Sequence, residues 1–138
     1  MADAVTSQTL SDGDRIAVVK FTNISDGTGE SSVAKVDVSA LATSNAGLTP
    51  ALATIEQIWY DIGGMRVTLE WNATTNVVAA VVGGSAAAGP GSGYMDFRSF
   101  GGLKNTLASG YDGDIDLTTS GHTNLDHYTI VLQLRKSY

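Results

Sequence analysis

The chain has 138 residues, 43% of them apolar, which supports a single domain with one core and excludes wholesale disorder. A net charge of −6 offers phosphates no counterion-release gain, so nucleic acid is excluded as a partner. The absence of cysteine excludes disulfides, thiolate zinc sites and thiol catalysis.

No apolar run reaches the ~18–20 residues of a membrane helix, and no basic segment followed by an apolar one opens the sequence. The expectation is synthesis in the cytoplasm, without a signal peptide and without a membrane partner. Sixteen glycines, two prolines and repeated alternation of apolar and polar residues indicate strands joined by tight turns.

Residues 1–12 are polar with isolated apolar positions and no helical period, and are read as an extended arm or edge strand ending at Asp12-Gly13. Residues 13–138 then form one β domain. Asp14 to Asn23 is rich in Val, Ile and Phe, with apolar residues on both parities, which predicts a strand partly covered on both faces. A loop with two glycines follows. Ser32 to Val38 resumes the strand pattern, with Ala34, Val36 and Val38 on one side and Lys35 and Asp37 on the other. From Ser39 to Thr54 Ala and Leu dominate and β-branched residues thin out. Thr49 as N-cap before Pro50 predicts a short helical turn within a long crossover.

The sharpest pattern runs from Ile55 to Asn72. Ile58, Tyr60 and Ile62 share one parity, and Met65, Val67, Leu69 and Trp71 share another. Gly63-Gly64 between them suits a two-residue hairpin. That turn would set Ile62 opposite Met65, Tyr60 opposite Val67 and Ile58 opposite Leu69. The other face would pair Asp61 with Arg66, Trp59 with Thr68 and Gln57 with Glu70. Trp59 then lies on the polar face, while Tyr60 and Trp71 belong to the core.

Val77 to Val82 reads as a short buried strand, and Gly83 to Gly93 as a low-complexity loop with no repeating face. Tyr94 to Asn105 predicts a short strand and a wide turn. Asp114 to Thr119 and His127 to Arg135 alternate as strands. The expected fold is all-β: an antiparallel β-sandwich or barrel-like fold of about seven or eight strands, with one short helical crossover and an extended N-terminal arm.

Motifs with chemistry are few. Asp112, Asp114 and Asp116 begin like a calcium loop, but Leu117 stands where Gly is needed and Thr123 where Glu is needed. The plainer reading is a strand with a solvated acidic face. His122 and His127, with Asp126 nearby, lack a third zinc ligand and any nucleophile elbow. Glu56 and Glu70 read as solvated rungs rather than a glycosidase pair. The sequons at Asn23 and Asn72 fall in turns and carry no glycan without a secretory signal. No catalytic residue, metal ligand or cofactor site is assigned, and no cofactor is expected. An enzyme built on Asp112, Asp114, Asp116 and His122 remains the least favoured alternative.

Three stretches carry a resemblance: Gln8 to Leu41, residues 65–74 (MRVTLEWNAT) and residues 113–136. Together they resemble small virion structural proteins of tailed bacteriophages, of the capsid decoration or cement kind. The resemblance implies a non-enzymatic protein on the outer capsid surface that bridges neighbouring major capsid subunits and forms dimers or trimers. It supplies no functional residue set. From the sequence itself, partner contacts are expected on the arm Ala2–Leu10 (Ala2, Val5, Leu10), on the Gly83–Gly93 loop (Ala87, Pro90) and at Trp59. The alternative is a tail- or fibre-associated carbohydrate-binding β-sandwich module, with Trp59 stacked on a sugar.

Overall fold

A computed structural model describes residues 3–83, 91–105 and 110–138. Ala2, Ala87 and Pro90 therefore lie outside the described residues. Nine strands follow in order: β1 (Ala4–Asp12), β2 (Ile16–Asp26), β3 (Val33–Val36), β4 (Leu52–Gly63), β5 (Arg66–Ala73), β6 (Val77–Gly83), β7 (Ser92–Asp96), β8 (Tyr111–Ser120) and β9 (Asn124–Ser137). They form a five-stranded sheet, β1-β2-β9-β4-β7, and a four-stranded sheet, β3-β8-β5-β6, with every pairing antiparallel. The all-β antiparallel expectation holds, as a two-sheet sandwich.

One core lies between the sheets. Phe21, Ile55, Ile58, Tyr128, Ile130, Leu132 and Leu134 come from the larger sheet, and Val67, Leu69, Trp71, Ile115 and Leu117 from the smaller. Full burial of such a side chain is worth about 1.5–3 kcal/mol. Phe21 and Tyr128 meet edge to face at 6.3 Å.

The expected hairpin across Gly63-Gly64 does not form. β4 pairs with β7 and β9, whereas β5 pairs with β6 and β8. The two strands lie in opposite sheets, joined by an arch. Ile58 and Ile62 share the core with Val67 and Leu69 from opposite sheets, instead of lying beside them. An arch and a hairpin both bring the apolar parities of two successive strands to one core, so alternation does not distinguish them. Asp61 accordingly sits opposite Thr129 and Ser92 rather than Arg66, and Trp59 sits opposite Val131 and Tyr94 rather than Thr68. Both glycines lie against the start of β9, whose Asp126 and His127 side chains pack on this arch. A Cβ at Gly63 would come within 2.5 Å of the His127 ring, and one at Gly64, where φ is +85°, within 2.3 Å of the Asp126 carboxylate.

Further departures have local causes. Glu56 is an extra residue in β4, between the Ile55–Leu134 and Gln57–Gln133 pairs. It is buried and paired with Arg135 at 3.0 Å, not a solvated rung. The helical turn expected at Thr49-Pro50 is absent. A 3-10 turn forms instead at Val38–Ala40, where the Asp37 side chain caps the Ser39 amide. β6 is an edge strand of the smaller sheet, with Val77, Val78 and Val81 exposed and only Val82 buried among its valines. Apolar residues on both parities suggested burial on both faces, but no strand among the described residues pairs with this edge.

β1 is the edge-strand form of the expected arm, and it is clamped at both ends. Asp12 receives the buried Lys136 ammonium at 2.6 Å and the Ala42 amide at 2.7 Å. Asp3 accepts from the Asn23 amide at 3.0 Å, the Asp26 amide at 3.1 Å and the Gly29 amide at 3.3 Å. Between its ends β1 is exposed along its length, as the edge strand of the five-stranded sheet.

Candidate functional site

The outer face of the five-stranded sheet carries the best-defined surface feature. Trp59 projects from β4 on the parity opposite to Ile58 and Ile62, as the alternation predicted, and is 37% exposed. Its cross-strand neighbour on β7 is Tyr94, and the two rings stack with centroids 5.3 Å apart and planes 28° apart. Rows of this sheet run Lys20, Val131, Trp59, Tyr94 and, one step along, Thr22, Thr129, Asp61, Ser92. Between the two rows lies an open, mainly apolar depression of about 350 Å³, lined by Trp59, Tyr60, Asp61, Ser92, Gly93, Thr129 and Val131. Gly93 leaves space for the Tyr60 side chain opposite it, because a Cβ on it would meet the Tyr60 hydroxyl at 2.8 Å. Tyr60, on the parity of Ile58 and Ile62, is half-buried and packs against the core, as expected.

A polar network holds the Tyr94 side of the site. The Gln57 amide oxygen accepts from Tyr94 (2.8 Å) and from Arg98 (2.9 Å), and its nitrogen donates to Gln133 at 3.0 Å. Arg98 also grips Asp96 through two bonds, at 2.9 and 2.8 Å. Those bonds hold the Asp96 carboxyl well below the usual carboxylate range. Asp61 has no hydrogen-bond or ion-pair partner among the described residues.

The other expected contact residues are not gathered here. Val5 and Leu10 are exposed on β1, at the opposite edge of the sheet from Tyr94. Leu10 sits in a bulge between the Thr9–Val19 and Ser11–Val18 pairs.

The charged clusters are structural in their contacts. Glu30 is buried between the sheets. It receives Lys35 at 2.5 Å, Tyr128 at 2.5 Å and Asn23 at 2.7 Å. Burial, then the bond to Glu30, pushes the Tyr128 phenol above its ordinary range. Burial opposes the Asp3 charge, but its bonds to Asn23, Asp26 and Gly29 outweigh this and hold that carboxyl below its ordinary range. No local pattern announces this network, because its members come from five separate segments.

The acidic run on β8 is less solvated than expected. Asp116 is only 4% exposed. Its Oδ2 accepts from Asn76 at 3.0 Å, and its Oδ1 has no partner. Burial, with Asp112 and Glu70 nearby, raises its pKa. Burial likewise raises that of Asp114, helped by Asp112, Asp37 and Asp116. No group of three metal-ligating His, Cys, Asp or Glu side chains occurs among the described residues. His122 contacts Thr119 at 3.2 Å, and its ring fills the space a Cβ on Gly29 would need. His127 packs over Gly63.

The fold is therefore that of an all-β sandwich with an aromatic depression on one sheet. No family model matches the sequence, and no curated protein or solved structure matches the chain.

Proposed function

We propose that this chain is a non-enzymatic structural protein of a phage particle, which decorates and cements the major capsid shell by bridging neighbouring subunits. The observation that carries this reading is the stacked, exposed Trp59–Tyr94 pair on the open face of a sheet whose central strands, β2, β9 and β4, pack their other face into the core. Rigid aromatic anchors dominate the energy of protein interfaces, and a sheet held by a sandwich core presents them with little ordering cost. Val5 and Leu10 supply a second apolar contact on β1, held in place by the Asp3 and Asp12 clamps. One face anchored at Trp59 and one at β1 suit a molecule that touches two neighbouring subunits. A specific contact of this kind buries on the order of 1,200–2,000 Å². The resemblance to phage decoration proteins supports the same reading, with the protein on the outer surface of the virion.

Self-association into a dimer is proposed through β6. The edge reads Val-Val-Ala-Ala-Val-Val without a charge, the kind of edge that proteins otherwise protect. A bulge at Ala79 sets Val78 and Val81 on one face. A two-fold through Ala80 would then pair Val78 with Val81 and Val77 with Val82 of a second copy.

The test is co-sedimentation with capsids stripped of this protein. Wild type is expected to bind and to raise the temperature at which the shell opens. W59A and the pair V5D/L10D should each weaken binding by about tenfold or more. Binding unchanged in all of these variants would sink the proposal. V78K/V81K should give a monomer by analytical ultracentrifugation. The same aromatic platform supports a second reading, a tail- or fibre-associated carbohydrate-binding module. A glycan array that returns a specific sugar, lost in W59A, would replace the first reading with this one.

A further inference from the structure

We propose that the depression beside Trp59 is a receptor for a guanidinium side chain, so that the partner protein anchors there through an arginine. This rests on the decoration reading for the identity of the partner, but the pocket chemistry is independent of it. Three observations converge. Trp59 lines the depression, with Tyr94 stacked against it, and ring faces attract cations. Asp61 lines the same depression, and its carboxylate has no partner among the described residues. The remaining lining is Tyr60, Val131, Gly93 and the small hydroxyls Thr129 and Ser92.

The choice of occupant follows from desolvation. Any protein laid over this face removes water from Asp61, and a carboxylate buried without a partner is strongly unfavourable. An apolar side chain would fill the depression and leave that charge uncompensated. A sugar would need several convergent polar groups for its hydroxyls, and this lining supplies few. A guanidinium satisfies both halves of the site, because its plane stacks on aromatic rings while its N–H groups reach a carboxylate. The chain's charge of −6 also favours a basic partner. Lys20 lies one strand beyond Val131 and does not line the depression, and Arg98 is occupied by Asp96.

The experiment titrates N-acetyl-arginine amide into the whole protein by NMR. Its uncharged isostere N-acetyl-citrulline amide and methyl α-glucoside are the comparisons. The chain has two tryptophans, so two indole N–H signals report separately: Trp59 at the site and Trp71 in the core. The arginine amide should move the Trp59 indole and the Thr129 and Ser92 amides saturably and leave Trp71 unmoved. The citrulline amide should bind about tenfold more weakly, and D61N should lower arginine affinity about threefold. In W59A the Thr129 and Ser92 shifts should disappear, with the Trp71 signal certifying the fold. Equal binding of citrulline and arginine amides, shifts with glucoside instead of arginine, or no shift with any probe would overturn the proposal. Capsid binding separates the two readings. Capsids that hold wild type and D61N equally overturn the arginine anchor and leave the decoration role standing. Capsids that hold neither overturn the decoration role, while the titration still decides the pocket.

Discussion

The clamp between Asp12 and Lys136 decides whether β1 behaves as a fixed strand or as a loose arm. Lys136 has a fully buried side chain (0% exposed), and its ammonium donates to Asp12 at 2.6 Å and to the Ala42 carbonyl at 3.0 Å. Asp12 keeps 21% exposure and also accepts from the Ala42 amide. The two partners therefore differ in what they leave behind. In D12A the ammonium stays buried with one carbonyl, and breaking such a pair costs about 3 kcal/mol, the low end for a buried ion pair because water can enter as β1 frays. In K136M the thioether fills the path of the lysine stem. Asp12 recovers water and keeps its amide bond, so the cost is about 1–2 kcal/mol. The double variant should cost less than the sum by about 1–2 kcal/mol. Urea denaturation of the four proteins gives the cycle, and hydrogen exchange should show β1 amides opening first in D12A. A cost for K136M above that for D12A, or costs below about 0.5 kcal/mol for both, would refute the assignment of β1 as a clamped strand.

Y128F removes the buried bond to Glu30 and should cost about 1–2 kcal/mol, read from the urea midpoint at unchanged slope. G64A forces a Cβ against Asp126 at a φ of +85° and should cost about 2–3 kcal/mol by thermal unfolding, whereas a hairpin-like turn free of that contact would tolerate it better. For Asp116 the sign follows from its raised pKa. The folded state holds this proton more tightly than the unfolded chain, so the resulting stability is present below the unfolded value of 3.8 and is lost as pH rises through the folded value. D116N keeps an acceptor for Asn76 without the charge. It should therefore be more stable than wild type at pH 7, and this advantage should shrink as pH falls from 6 to 4 in a melting series; a constant or growing advantage would contradict the burial of that carboxylate.

The sequence by itself determined the strands and their faces. Alternation along Met65 to Trp71 and along Tyr128 to Leu134 placed those side chains inside, and put Trp59 outside, because the pleat turns every second residue to the same face. It also fixed the positions of the turns at Asp12-Gly13 and Gly63-Gly64. Only the tertiary structure decided which strands are neighbours. β4 and β5 have matching apolar parities whether they lie side by side or face each other, and the choice of an arch was made by β9, which pairs with β4 along its length and packs Asp126 and His127 on Gly63 and Gly64. The aromatic site divided in the same way. Trp59 and Asp61 were legible from their shared parity on β4, but Tyr94, Thr129 and Val131 reach them from two other strands, through hydrogen-bond registers that no local pattern encodes. Burial of Asp116, Glu56 and Glu30 was likewise hidden, since a charged residue in a strand reads as solvated until the partner that neutralises or crowds it is brought in by the fold.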